Sequence, residues 1–141
     1  VVRGNCSIVT GIPGISENIR INGIIDRYLE HSRIFIFENA GDMICLTGSA
    51  DWMPRNLDNR IEVLAPVYDK EIQADLKRIV CYGYRDTAKG RIVDGTGENR
   101  PWENRPSTLC KDFTPALAEA ETATVVFRSQ EELYRKYKNT L

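Results

Sequence analysis

The chain has little of several things that would fix its function class at once. It contains a single histidine, and its four cysteines, Cys6, Cys45, Cys81 and Cys110, are scattered with no CxxC pair. That spacing argues against a zinc knuckle and against a thioredoxin-type motif. Cys6, Cys45 and Cys81 fall inside apolar runs, which favours buried, reduced thiols in a cytoplasmic protein over disulfides. No sign of charge predominates: 19 basic and 20 acidic residues give a formal net charge of -1. There is thus no global positive field to hold duplex nucleic acid or an anionic bilayer, and any anion must be bound locally. Internal repeats, low-complexity tracts and membrane-length apolar runs are also missing. The opening Val1-Val2-Arg3-Gly4 carries no initiator Met, no basic n-region and no apolar signal core, so a piece of a longer protein, holding part of an active site, is expected.

What is present is ordinary globular composition, 42% hydrophobic and 28% charged over 141 residues, for which one domain is the prior. Residues 1 to 10 end in Ser7-Ile8-Val9 and stop at Gly11-Ile12-Pro13-Gly14, the pattern of a strand running into a Gly/Pro loop. Ser16 suits a helix N-cap, and Ile21, Ile24, Ile25, Tyr28 and Leu29 carry the spacing of one helical face, predicting a helix over 16–30. Ile34 to Phe37 and Met43 to Thr47 are β-prone runs joined by Asn39-Ala40-Gly41-Asp42, a hairpin signal. A loop-like stretch, Asp51 to Asn56, precedes a third strand at Arg60 to Leu64. Asp69 can cap a second helix with an apolar stripe of Ile72, Leu76, Ile79 and Val80 that closes near Gly83. Residues 87 to 115 read as an extended arm with one short strand at most, and Gln130 to Lys138 as a surface helix. The fold class is therefore α/β, a mixed β-sheet flanked by helices with an irregular C-terminal arm, with residues 1–86 as core and 87–141 as arm and terminal helix.

His31, the only histidine, stands where the first predicted helix hands over to the Ile34 strand. Imidazole can donate, accept or carry a phosphoryl group near neutral pH, while a helix-end capping role is the bland alternative. Six arginines, Arg3, Arg20, Arg27, Arg33, Arg55 and Arg60, fall within sixty residues. Their planar forks match phosphate oxygens, so several on one cleft would clamp a polyanion. Arg20 and Arg27 suit a solvated face paired with acids such as Glu17, Asp26, Glu30 and Asp58; Arg3, Arg55 and Arg60, beside Gly, a Pro loop or a strand, suit the phosphate role. Gly48-Ser49-Ala50-Asp51 ends a strand with small residues and a hydroxyl, open to close approach by phosphate. Gly11 to Gly14 lacks a Walker lysine and reads as a turn. Tyr28, Trp52, Phe35 and Phe37 read as core rather than as a base-stacking platform.

Val2-Arg3-Gly4, Gly11 to Ile19, Tyr28 to Arg33, Phe37-Glu38-Asn39 and, above all, Gly48-Ser49-Ala50-Asp51-Trp52-Met53-Pro54-Arg55-Asn56-Leu57-Asp58 together resemble the C-terminal domain of bacterial polyphosphate kinases, over roughly residues 1 to 86. The resemblance implies a phospholipase D-like fold, whose H-x-K-x4-D and G-S-x-N motif would fall on His31, Arg33, Glu38, Gly48, Ser49 and Asp51. Lysine has become arginine, both end residues differ and the gap before Gly48 is longer, which disfavours lipid hydrolysis. The implied activity is reversible transfer of the γ-phosphate of ATP to polyphosphate through a phosphohistidine in a preceding domain. It implies that Arg3 and His31 contact ATP near the transferred phosphate, with His31 acting as acid or base. Arg55, Arg60 and Ser49 are expected to bind phosphate, on chemical grounds. Implied partners are ATP, ADP, polyphosphate, the other domains of the enzyme and further copies of it, with Mg2+ held outside this chain and no nucleic acid. The implied location is the cytoplasm or the periphery of the inner membrane. A phospholipase D-like phosphodiesterase and a non-catalytic interaction domain are the competing readings.

Overall fold

The computed structural model describes residues 1–4, 6–103, 110 and 126–139. These residues fall into two compact units, one made of Val1–Leu29 with Ile79–Leu141, the other of Glu30–Arg78.

The second unit is a three-stranded antiparallel meander with β2 (Ile34–Phe37), β3 (Ile44–Gly48) and β4 (Leu64–Pro66) in that order. The hairpin expected at residues 34–47 forms with Ile34 opposite Thr47 and Phe37 opposite Ile44. Its turn is left-handed at three successive residues, Asn39, Ala40 and Gly41. Gly and Asn tolerate that region well, whereas Ala40 does so against its Cβ. Gly48 pairs with Leu64, so β4 begins where the expected third strand ends. A Cβ on Gly48 would lie 2.1 Å from the Val63 carbonyl oxygen, so this approach of backbone to backbone requires glycine. The stretch expected as a loop contains α1 (Pro54–Asn59), because Pro at the first helical position loses no hydrogen bond there. Its buried residue is Asn56.

α2 (Lys70–Tyr84) starts in this unit. As anticipated, Asp69 caps it, its Oδ1 accepting from the amides of Glu71 and Ile72 at 2.8 and 3.0 Å.

In the first unit the helix expected over 16–30 does not form. Residues 22–24 are instead β1 (Asn22–Ile24), antiparallel to β5 (Gly90–Ile92) and bridged in parallel to Val2, which makes this small sheet mixed. Ser7 to Val9 form no strand; the bridging residue is Val2. Ser16 closes the Gly11–Gly14 turn rather than capping a helix, donating to the Val9 carbonyl at 2.7 Å and accepting from the Ile12 amide. The helix fails because its would-be interior holds Gly23 and four isoleucines, Ile19, Ile21, Ile24 and Ile25. Glycine costs roughly 1 kcal/mol in a helix, and β-branched residues favour the pleated surface. Ile21 and Ile24 are buried by the strand, while Ile25, Tyr28 and Leu29 are left exposed.

The core of this unit includes a polar knot. Asn22, fully buried, donates to the Gly83 carbonyl at 2.9 Å and reaches those of Tyr84 and Asp86 at 3.5 and 3.4 Å, satisfying orphan carbonyls at the end of α2. Asp86, also fully buried, accepts from the Ser129 amide at 2.8 Å and hydroxyl at 2.6 Å, capping α3 (Ser129–Tyr137). The expected terminal helix is therefore present. Gly90 is required because a Cβ there would meet the Asp86 carbonyl oxygen at 2.0 Å and the Asn22 amide at 2.6 Å. Arg128 pairs with both oxygens of Asp26, and Gln130 exchanges two hydrogen bonds with the backbone of Tyr28. The arm expected over 87–115 holds the one short strand β5, and residues 104–109 and 111–125 lie outside the described set. Cys45, Cys81 and Cys110 are buried and in no disulfide; Cys6 is half-buried. No helix among the described residues is long and apolar enough to cross a membrane.

Candidate functional site

Four of the five site residues singled out in the sequence, His31, Ser49, Arg55 and Arg60, belong to the second unit; Arg3 belongs to the first. Arg3 is exposed, between the bridging Val2 and Gly4, whose φ of 76° is left-handed.

The second unit builds its site where β2 begins and β3 ends. The carbonyl of Arg33 accepts from the Gly48 amide at 3.2 Å and from the Thr47 hydroxyl at 3.1 Å, which fixes the chain just after His31 against the end of β3. The Arg33 guanidinium then reaches Asp51 with Nε at 2.9 Å and Nη2 at 3.4 Å, a two-pronged pair of the kind arginine favours. Its remaining nitrogen, Nη1, lies 3.2 Å from Nδ1 and 3.1 Å from Nε2 of His31, and 3.1 Å from the His31 carbonyl oxygen. Which ring nitrogen accepts depends on the tautomer. The hydrogen bond from Arg33 holds the Asp51 carboxyl below its usual range, against a smaller opposing effect of burial, and the nearby charges of Arg33, Arg55 and His31 act in the same direction. Arg33 is correspondingly pushed up, first by that same bond.

Beside it, Ser49 donates its hydroxyl to Oε2 of Glu62 and accepts from the Val63 amide, while its own amide bonds the Val63 carbonyl. Asn56 donates to Oε1 of Glu62 at 2.7 Å. These two donors hold the Glu62 carboxyl below its ordinary value, with Arg60 and Arg33 adding to the effect. The turn from β3 into α1 is thus braced by one carboxylate, and His31, Arg33, Arg55 and Arg60 surround two. Ser49 is committed to Glu62, so its hydroxyl is less open to phosphate than its sequence setting suggested. Asn56 and Glu62 were not singled out from the sequence: Asn56 lay in what looked like a loop, and Glu62 alternates with Ile61 and Val63 as an ordinary strand residue.

Trp52 and its neighbours correct a second expectation. The Trp52 ring stacks on Phe35 at 5.5 Å with planes 12° apart, yet it is 68% exposed; Tyr28 is 61% exposed and Phe37 46%. None of these three is core. In the first unit, Arg27 does not pair with Asp26, which Arg128 occupies; its guanidinium lies over the Tyr28 ring at 5.5 Å. Among the described residues, Arg3, Arg55 and Arg60 make no ion pair within 4.0 Å. Also among the described residues, no three His, Cys, Asp or Glu side chains converge on one point, and Asp51 and Glu62 already accept side-chain hydrogen bonds.

The family model described as polyphosphate kinase C-terminal domain 2 matches residues 1–111. The polyphosphate kinase of Klebsiella pneumoniae is 48% identical over 100 residues, 71% of this chain and 15% of that protein. That of Escherichia coli K12 is 47% identical over 127 residues, 86% of this chain and 18% of that protein. The crystal structure of polyphosphate kinase from Porphyromonas gingivalis superposes with a TM-score of 0.76 at 34% identity, covering 96% of this chain and 18% of the other. The chain thus spans less than a fifth of the length of these relatives. With its family model matched over most of its length and its fold shared with a solved member, the chain belongs to the polyphosphate kinase C-terminal domain family.

Proposed function

We propose that this chain is the part of a polyphosphate kinase that binds the phosphates of ATP during reversible transfer of the γ-phosphate to polyphosphate. In that reaction the bond between the γ-phosphorus and the bridging oxygen of ADP breaks, a bond to an imidazole nitrogen in a preceding domain forms, and the phosphoryl group then passes to the terminal oxygen of the polymer. Charge spreads over the phosphoryl oxygens in the transition state, so positioned cations are the protein's main contribution. Arg3, Arg55 and Arg60 supply such cations; His31 moves a proton to or from a phosphate oxygen; Ser49 shapes the turn that carries Arg55. The observation that carries the reading is the gathering of His31, Arg33, Arg55 and Arg60 around the β3–α1 turn, with Arg55 and Arg60 in no ion pair within 4.0 Å among the described residues. Magnesium would be held by residues outside this chain. The whole is read as one C-terminal domain with residues 1–86 as core, and the β1–β5 pairing ties the 87–141 arm to that core. It would work in the cytoplasm or against the inner membrane, within an oligomer of the full enzyme.

Calorimetric titration with ATP and with polyphosphate tests this. Arg3→Ala and His31→Ala should each weaken binding of ATP. Binding unchanged in both single variants would remove these residues from the site.

A further inference from the structure

We propose that Arg33 is the positioning residue for His31, a three-pronged clamp held in place by Asp51. His31 is exposed and lies three residues before β2, so neither burial nor a strand ladder orients its ring. Among the described residues its ring has a single polar partner, Nη1 of Arg33, close to both nitrogens. The same Nη1 bonds the His31 carbonyl, so one guanidinium nitrogen ties the ring to its own backbone.

The clamp is itself fixed at both ends. The Arg33 backbone is bonded by Gly48 and Thr47 of β3, and its head is held by both oxygens of Asp51. Asp51 follows Ala50, which is 2% exposed, and its carbonyl accepts from the Met53 amide at 2.8 Å, so the carboxylate stands on a constrained turn. The task requires the fork of arginine. Nε and Nη2 serve the carboxylate while Nη1 serves the imidazole, and a lysine ammonium, a single point charge, cannot span both. Arginine at a place where the phospholipase D-like motif has lysine, and aspartate where it has asparagine, are then two halves of one device. Because Arg33 only donates, it can bond a ring nitrogen only where that nitrogen carries a lone pair.

Positioning rests on the geometry alone; its catalytic consequence rests on the reading of His31 given above. Since His31 is the only histidine, 13C-labelling of histidine gives one imidazole spectrum, and relaxation of its Cε1 reports ring order directly. The wild-type chain should show an order parameter of about 0.8, falling below about 0.6 in Arg33→Met, Arg33→Lys and Asp51→Asn. The β2 and β3 amide shifts confirm that the hairpin is intact in each variant. A ring as ordered in Arg33→Lys and Asp51→Asn as in the wild type would overturn the proposal. In the full-length kinase the same variants should lower kcat on the order of 10 to 100-fold, with KM for ATP little changed. Ring order lost with kcat intact would leave the clamp standing and remove His31 from the chemistry. A fall in kcat with ring order intact would overturn the clamp.

Discussion

Asn22→Asp exchanges one atom at the centre of the polar knot and makes a sharp prediction. The Asn22 amide nitrogen faces three backbone carbonyls, of Gly83, Tyr84 and Asp86, and the residue has no exposure to solvent. An aspartate there must present oxygen to oxygen unless it is protonated, in which state its hydroxyl can donate to the Gly83 carbonyl as the amide did. A buried carboxylate without a cation neutralises itself by an upward pKa shift rather than staying charged. Its unfolded value is about 3.9, so keeping it protonated at pH 7 costs about 4 kcal/mol, at about 1.4 kcal/mol per pH unit. Against a total stability of roughly 5–15 kcal/mol this is a large fraction.

The sign follows from linkage. The folded pKa lies above the unfolded one, so the folded state holds more protons between the two values and the variant loses stability as pH rises through that window. Below about pH 3.9 the variant should match the wild type to within about 1 kcal/mol, because both side chains then donate. The assay is urea unfolding at a series of pH values in a Trp52→Phe background, where the fluorescence of the buried Trp102 reports the first unit. The quantity to follow is the difference between variant and parent, which cancels the titration of every other group. Asn22→Leu is the control: it should cost stability at every pH with no slope. A pH-independent difference for Asn22→Asp, or one that grows toward acid, would refute the assignment of Asn22 as a donor to the end of α2.

Asp26 should show the opposite slope. Its carboxyl is held low chiefly by hydrogen bonds from Arg128, so the stability it contributes is present above the ordinary carboxylate value and is lost as pH falls through the folded one. Arg128→Met should therefore be less stable than wild type at pH 6 and converge with it toward pH 2, and a gap that persists in acid would contradict the pairing. Gly48→Ala should destabilise the second unit by about 1–3 kcal/mol, since its Cβ must push aside the Val63 carbonyl that Ser49 bonds. Denaturant unfolding followed by Trp52 tests this, and a midpoint at the wild-type value would mean that β4 can shift freely.

The features legible in the sequence were those written in periodicity or in a local cap. The hairpin was visible because two β-prone runs flank Asn39-Ala40-Gly41, and α2 because Asp69 precedes a long apolar stripe. Helix α1 was written too, in Pro54, which suits the first helical position as well as it suits a loop. Of the candidate site, His31, Ser49, Arg55 and Arg60 do gather on one unit, whereas Asp51 and Glu62, which organise them, carry no periodic signal. Their role follows from which donor each oxygen accepts, a relation between residues 6 to 18 positions apart.

The expected helix over 16–30 rested on counting Ile21, Ile24, Ile25, Tyr28 and Leu29 as one buried face, but the residue that decides the segment is Asn22. The largest fully buried side chains among the described residues are Asn22, Asp86, Cys45 and Cys81, two of them strongly polar. A polar side chain can be buried at little net cost only where partners are already placed, and those of Asn22 stand 61 to 64 residues away at the end of α2. Hydrophobic patterning registers what water rejects and is blind to what a helix end 61 residues away requires. A helix over 16–30 would have left the α2 carbonyls without Asn22; a strand delivers it, with Gly90 on β5 leaving room for its amide. The strand at β1 is thus selected by a capping requirement elsewhere in the unit, which is why exchanging the single donor atom of Asn22 is expected to cost more than its local surroundings alone suggest.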